Sequence, residues 1–175
     1  MRKKLLLSGL VTLICISSIS AQNVEGFRAL EIKYGRTGTP GDIFKLQHER
    51  YFSERLNLVM AGSVELSRKN LINYRCYTLD GLVAYYSNVG YKTNGDLEVI
   101  GGVGLSINYQ TEKNLYKDYS TLQKINYGVV FQLTGEWAFT DDLSLTLAAV
   151  QRLYRKKELG MFQYDFSVGL KWKIW

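Results

Sequence analysis

Two long stretches of alternating side chains constrain this chain more than any other feature. From Leu97 to Tyr109, and again from Ile125 to Phe139, every second residue is apolar, aromatic or glycine. The side chains of a β-strand point alternately to opposite faces, so a period of two indicates strands. Strands in globular proteins usually have about 5–6 residues, and both stretches are far longer. The pattern therefore predicts a hairpin of two unusually long strands with one apolar face.

The sizes of the side chains on the two faces indicate which face points outward. The apolar set is bulky and ends in aromatic residues, with Tyr109 and Tyr127 at one end and Trp137 and Phe139 at the other. Aromatic girdles around an aliphatic band are typical of a barrel wall that faces lipid, and about 10 tilted residues cross the apolar band. The residues between them suit a narrow interior because most of them are small: Gly102, Gly104, Ser106, Gly128, Thr134 and Ala138. We therefore interpret the hairpin as part of an outer-membrane β-barrel.

Six further alternating segments bring the predicted number of strands to eight. Tight turns are predicted at 53–54 and 140–142, and the polar loop 110–124 is the longest connection. Short turns at one end and longer loops at the other are typical of outer-membrane barrels. The fold prediction is an all-β, eight-stranded antiparallel transmembrane β-barrel of outer-membrane type. Its predicted strands are 27–34, 42–52, 55–66, 74–87, 97–109, 125–139, 143–154 and 161–175.

The second predicted strand has the least regular pattern. Its apolar residues Phe44, Leu46 and Phe52 share a face with His48 and Arg50. Keeping two basic side chains out of lipid requires either a β-bulge or an Arg50 side chain that extends to the membrane surface.

The residues before the first strand have the pattern of a signal peptide. Three basic residues at positions 2–4 precede the apolar run 5–16, and Ser20 and Ala21 offer a cleavage site before Gln22. The run is shorter than the roughly 20 residues of a spanning helix. We expect a cleaved signal peptide at 1–21 and a single barrel domain at 22–175, exported to the outer membrane. Lipidation of Cys15 stays open. Cys76 is then the one cysteine left, so no intramolecular disulfide is expected.

The interior of the predicted barrel carries charges of both signs. An eight-stranded barrel is just wide enough to be filled by its own side chains. A conducting or proton-relaying lumen is one interpretation, and a plug of mutually paired charges is the other. Because buried charges persist when they are paired, the mixture of signs favours the plug. The predicted inward charged residues are Glu31, Lys33, Glu65, Asp80, Glu98, Glu136, Arg152, Asp165, Lys171 and Lys173.

The sequence predicts no catalytic, cofactor-binding or metal-binding residues, and hence no enzyme. The glycines at 101–104 lie within a predicted strand, whereas a phosphate-binding loop would precede a helix. His48 is the one histidine, and no serine lies within two residues of it. One histidine without a cysteine pair is not a typical set of zinc ligands. The formal charge of +6 includes the three basic residues at positions 2–4, and the remainder is too small to indicate a nucleic-acid partner.

Three groups of motifs resemble those of one family. They are Ile107–Thr111 with Asn114, then Leu115–Asp118, and then Tyr127-Gly128 followed by Glu136, Phe139 and 141–143. That family is the TraO-type conjugal transfer proteins of Bacteroidetes conjugative transposons, and Asn108 and Gln110 depart from its pattern. The resemblance implies a non-enzymatic, structural or mating-contact component of a DNA-transfer apparatus related to type IV secretion. Its expected partners are outer-membrane lipid and other conjugation proteins, without direct binding of nucleic acid. A general small barrel for adhesion or envelope integrity is the alternative, and a lipid-modifying barrel enzyme is a third.

Overall fold

The computed structural model describes residues 28–38, 41–53, 56–69, 72–88, 97–114, 122–140, 142–155 and 162–174. Each strand pairs antiparallel with the next, and the eighth pairs with the first to close the barrel. The strands are β1 Arg28–Thr37, β2 Gly41–Tyr51, β3 Leu56–Lys69, β4 Ile72–Asn88, β5 Leu97–Asn114, β6 Leu122–Ala138, β7 Leu143–Tyr154 and β8 Phe162–Ile174. The predicted eight-stranded antiparallel barrel is confirmed. The predicted signal peptide and Cys15 lie outside the described residues.

Among the described residues, no helix is long and apolar enough to cross a membrane.

The strands are staggered around the barrel. Following paired residues from Arg28 through every strand leads to Tyr164. The carbonyl oxygen of Tyr164 accepts a hydrogen bond from the N–H of Gly38, at 2.9 Å. The path therefore starts at the first residue of β1 and returns beside the other end of that strand. A stagger of this kind requires strands that tilt by about 35–45° from the barrel axis.

Burial alternates along the strands as the sequence predicts. On β6, for example, Leu133 is 57% exposed on the outside while its neighbour Thr134 is 2% exposed inside. Polar and charged residues dominate the buried set, and large apolar residues dominate the exposed set. The barrel therefore has an apolar outer surface and a largely polar interior, which is the arrangement expected of a barrel surrounded by lipid.

Two predicted tight turns are confirmed, and they are built alike. The N–H of Phe52 donates to the carbonyl of Leu56, and the N–H of Phe139 donates to that of Leu143, both at 2.9 Å. A side-chain oxygen completes each turn: Ser53 accepts from the N–H of Leu56 and Thr140 from that of Leu143. We call this end of the barrel, which also holds the start of β1 and the end of β8, the turn end. The opposite end is the loop end.

The prediction of a polar loop at 110–124 is wrong in extent. Residues 110–112 of β5 pair with 122–124 of β6, so the connection shrinks to residues 115–121. The connection predicted at 67–73 shrinks in the same way, because Lys69 pairs with Ile72. A strand that continues beyond the lipid has water on its outer face and loses its apolar alternation. Its backbone pairing continues nevertheless, and the sequence pattern does not report it.

The β-bulge considered for β2 is not formed. The pairing of β2 with β1 and β3 runs without interruption. His48 and Arg50 stay on the outer face with Phe44 and Leu46. The guanidinium of Arg50 lies 5.6 Å from the centroid of the Phe52 ring, beside the turn. This position agrees with the second option that the sequence left open, in which the Arg50 side chain extends toward the membrane surface.

Candidate functional site: the barrel interior

The interior holds a cluster of paired charges near the turn end. The Lys171 side chain is fully buried, and its Nζ lies 2.7 Å from Glu49 Oε2 and 2.7 Å from Glu136 Oε2. It also donates to the hydroxyl of Tyr86 at 2.7 Å. The second oxygen of Glu136 lies 3.5 Å from Lys173 Nζ. The Lys171 ammonium group therefore contacts two carboxylates and a hydroxyl, and Lys173 supplies the second positive charge beside Glu136.

Glu49 is the most heavily bonded carboxylate of this turn-end cluster. Its Oε2 accepts hydrogen bonds from Tyr51, Asn57 and Tyr86 at 2.9–3.0 Å. Its Oε1 accepts one from Gln47 at 2.7 Å. A buried carboxylate needs several donors as well as a counter-charge, and Glu49 has both.

A second cluster lies nearer the loop end. The Arg152 Nη2 donates to Asp80 Oδ2 at 2.6 Å, and its Nη1 donates to Asp165 Oδ2 at 2.6 Å. Its Nε lies 3.2 Å from both oxygens of Asp80. Lys45 pairs with the other oxygen of Asp165. The planar guanidinium thus bridges two strands on opposite sides of the interior, as arginine does better than lysine.

A short polar link lies between the two clusters. Lys33 and Lys45 face each other directly across β1 and β2, but they pair with different acids. The Nζ of Lys33 lies 3.0 Å from Glu31 and 3.1 Å from the side-chain oxygen of Gln47. Gln47 also bonds Glu49 of the turn-end cluster, so polar contacts continue from one cluster toward the other.

An apolar patch also lies inside the barrel, on strands β3 to β7. Its buried residues are Val59, Leu82, Ala84, Tyr86, Ile100, Val130 and Val150. Tyr86 belongs to both regions, since its ring packs with the aliphatic residues and its hydroxyl reaches Glu49. Paired charges together with packed aliphatic groups in the interior favour the plug over a conducting lumen.

Most predicted inward charges take part in this interior network. Eight of them belong to the clusters or their link: Glu31, Lys33, Asp80, Glu136, Arg152, Asp165, Lys171 and Lys173. Glu65 accepts a hydrogen bond from Thr37 at 3.0 Å near the loop end, and Glu98 is half-buried near the turn end.

The sequence reasoning missed Lys45, Gln47 and Glu49, all on β2. The basic residues on the outer face of that strand obscured its alternation. The sequence nevertheless contained a signal for their inward position, because these three polar residues alternate with the outward residues of the strand.

His48 faces away from the interior. Its register partners are Leu30 on β1 and Met60 on β3, and both also lie on the outer face. Among the described residues, no serine or carboxylate faces it from a neighbouring strand, so the geometry offers no support for a histidine-based hydrolase. No group of three or more histidine, cysteine or acidic residues within the described segments is arranged to hold a metal ion.

Comparisons with known proteins identify the fold alone. No family model matches the chain, and no curated protein matches it. The solved structure of Neisserial surface protein A, NspA, is similar with a TM-score of 0.67 at 12% identity, covering 85% of this chain and 97% of that one. The fold is that of a small outer-membrane barrel. Ail, the attachment invasion locus protein of Yersinia pestis, has a TM-score of 0.56 at 7% identity, covering 87% of this chain and 100% of that one.

An enzyme shares this fold as well. The outer membrane enzyme PagL has a TM-score of 0.51 at 12% identity, covering 83% of this chain and 99% of that one. One fold that accommodates a surface protein, an attachment protein and an enzyme does not specify a function. Function must therefore be argued from the residues of this barrel.

Proposed function

We propose that this chain is a non-enzymatic outer-membrane barrel that acts through its exposed loop end, in adhesion or in envelope integrity. The observation that carries the proposal is the pairing of the interior charges. Each described inward lysine or arginine of the network has a carboxylate partner within the barrel. An interior that conducts ions would need a continuous watery passage lined by accessible polar groups.

Conductance across a planar lipid bilayer tests the closed interior. Purified, refolded barrel should give no steady single-channel current. A variant with two smaller interior residues, Lys171→Ala with Glu49→Ala, serves as the comparison, because it removes both sides of an ion pair and creates space. If the unaltered barrel gave a steady conductance as high as that of the variant, its interior would be open and the proposal would be contradicted.

Conjugative DNA transfer is the second candidate, supported by the resemblance of residues 107–118 and 127–143 to the TraO-type proteins. In this candidate the barrel is a structural or mating-contact part beside the DNA conduit, since eight strands leave no room for DNA within. Tyr127 of the resembling segment lies on the outer face near the loop end. Its hydroxyl accepts from Arg155 Nη1 at 2.5 Å, and the guanidinium lies 5.9 Å from the ring centroid.

Mating assays separate the two candidates. Deletion of the gene from a donor strain should abolish or strongly reduce transfer if the conjugation candidate is right, and the unaltered gene should restore it. Normal transfer from the deletion strain, together with increased sensitivity to detergents or large antibiotics, would favour the general envelope role. Exchange of residues 115–121, the connection between β5 and β6 at the loop end, for a Gly-Ser linker then asks whether this connection makes the contact.

A further inference from the structure

Three basic residues lie on the outer face of the barrel near the turn end. Arg28 is the first residue of β1, and it pairs directly with Arg50, the next-to-last residue of β2. His48 is the next outward residue on β2 toward the middle of the barrel. All three are half-buried, and we call them the outer basic patch.

The described part of the protein supplies no counter-charge to this patch. Like charges directly opposite each other on neighbouring strands are destabilising. The outward residues packed around the patch are apolar or aromatic: Leu30, Leu58, Met60, Trp172 and Ile174. The nearest carboxylate in sequence, Glu49, points inward and binds Lys171. Each described cation of the interior network has a carboxylate partner, so the outer patch differs from it in kind.

The surroundings place the patch at the edge of the apolar band. Trp172, next to it on β8, is 64% exposed, and Phe52 is 53% exposed beside Arg50. Amphipathic aromatic side chains are enriched at the level of the lipid headgroups. Toward the barrel centre the outer face becomes aliphatic, with Ile32 66% exposed and Leu46 50% exposed. In a bilayer the headgroup phosphates lie at the edge of the apolar core, and guanidinium groups bind phosphates through paired charge-assisted hydrogen bonds.

We propose that Arg28 and Arg50 together bind the phosphate of an anionic phospholipid in the leaflet at the turn end. The phosphate neutralises a like-charge pair to which the described residues supply no carboxylate. His48 lies deeper, at the level of the ester oxygens of the same lipid, to which a ring N–H can donate. This proposal concerns the outer face, and it holds whichever of the two functions above is correct.

Native mass spectrometry of the detergent-solubilised barrel tests the proposal with phosphatidylglycerol and phosphatidylcholine at equal concentration. The test variant is Arg28→Gln with Arg50→Gln. The matched control is Arg36→Gln with Arg155→Gln, which removes the same charge at the loop end, where Arg36 pairs with Asp42 at 3.1 Å. Wild type and control should retain phosphatidylglycerol preferentially. In the test variant the ratio of bound phosphatidylglycerol to bound phosphatidylcholine should fall about fivefold for each arginine removed, which corresponds to about 1 kcal/mol each.

Several results would overturn the proposal. These are an unchanged preference in the test variant, an equal loss in the control, or displacement of the lipid by millimolar inorganic phosphate. Binding of an acidic peptide without preference for phosphatidylglycerol would assign the patch to a protein partner instead. Folding of each variant is checked by its faster gel mobility before boiling. If the double variant does not fold, the single variants Arg28→Gln and Arg50→Gln carry the same test.

Discussion

The β5–β6 hairpin and the β1–β2 hairpin form contrasting walls of one barrel. In β5–β6 the outer face is uniformly apolar, and the inner face carries small residues such as Gly102, Gly104 and Gly128. In β1–β2 the inner face carries the long side chains of Glu31, Lys33, Lys45, Gln47 and Glu49, and the outer face carries the basic patch. The three glycines lie close to the adjoining strands, Gly102 and Gly104 against β4 and Gly128 against β7. The contrast teaches that the two walls contribute unequally: β1–β2 supplies five long polar or charged interior side chains, whereas β5–β6 adds Glu136 to the same network among smaller residues.

The largest expected effect concerns Lys171, the cation at the centre of the turn-end cluster. Lys171→Met removes the cation shared by Glu49 and Glu136 and leaves two buried carboxylates without their main partner. Removing one partner of a buried ion pair costs about 3–5 kcal/mol. Urea unfolding in lipid vesicles measures the loss. Lys173→Met is the matched control, because that side chain is 28% exposed and 3.5 Å from Glu136, and we expect it to cost no more than about 1 kcal/mol. Equal costs for the two variants would contradict the interior network.

The next effect contrasts the outer faces of the two hairpins. Leu133→Arg, on β6, places a guanidinium in the middle of the apolar band and should cost about 2–4 kcal/mol. Arg50→Leu, on β2, removes a guanidinium from the edge of that band, where its cost is about 0–1 kcal/mol. The same unfolding measurement compares them. A Leu133→Arg barrel as stable as wild type would mean that this face of β6 does not contact lipid.

A smaller effect tests how closely the glycines of the β5–β6 wall pack against the neighbouring strand. A Cβ atom on Gly104 would clash with the carbonyl oxygen of Gly81, whereas one on the outward Gly101 would meet nothing within 4 Å. Gly104→Ala should therefore cost about 1–3 kcal/mol through overpacking. Gly101→Ala should stay within about 0.5 kcal/mol of wild type. If both substitutions were neutral, the close approach of β4 and β5 would be wrong.

The smallest effect concerns the end of the β5–β6 hairpin. Exchange of residues 115–121 for a Gly-Ser linker of equal length should change stability by less than about 0.5 kcal/mol, because loop composition and length alter the closure entropy little. Extending the exchange to 110–124 should cost more, since it removes paired strand residues. Equal stability of the two exchanges would indicate that residues 110–124 form a loop, as the sequence predicts, and would contradict the strand pairing of 110–112 with 122–124.

The two hairpins also explain how far the sequence alone reaches. The alternation of β5–β6 predicted its strands, and the face of each residue was assigned correctly, because lipid and interior are opposite environments. The pattern failed where that contrast weakens, beyond the lipid at residues 110–112 and along β2, where Arg50 lies near the band's edge. The pairing of Arg152 with Asp80 was beyond prediction, because it joins β7 to β4 across the interior and the two residues are 72 positions apart in sequence.

The central claim is that the apolar set of β6 faces lipid and the alternate set faces a filled interior. Nitroxide labels at single cysteines on each residue from 127 to 137, with Cys15 and Cys76 replaced, test it in lipid vesicles. Accessibility to oxygen, which concentrates in the hydrocarbon, should oscillate with period two and be high at Leu133 and Phe131 but low at Thr134. A constant accessibility, or an oscillation of the opposite phase, would contradict the account.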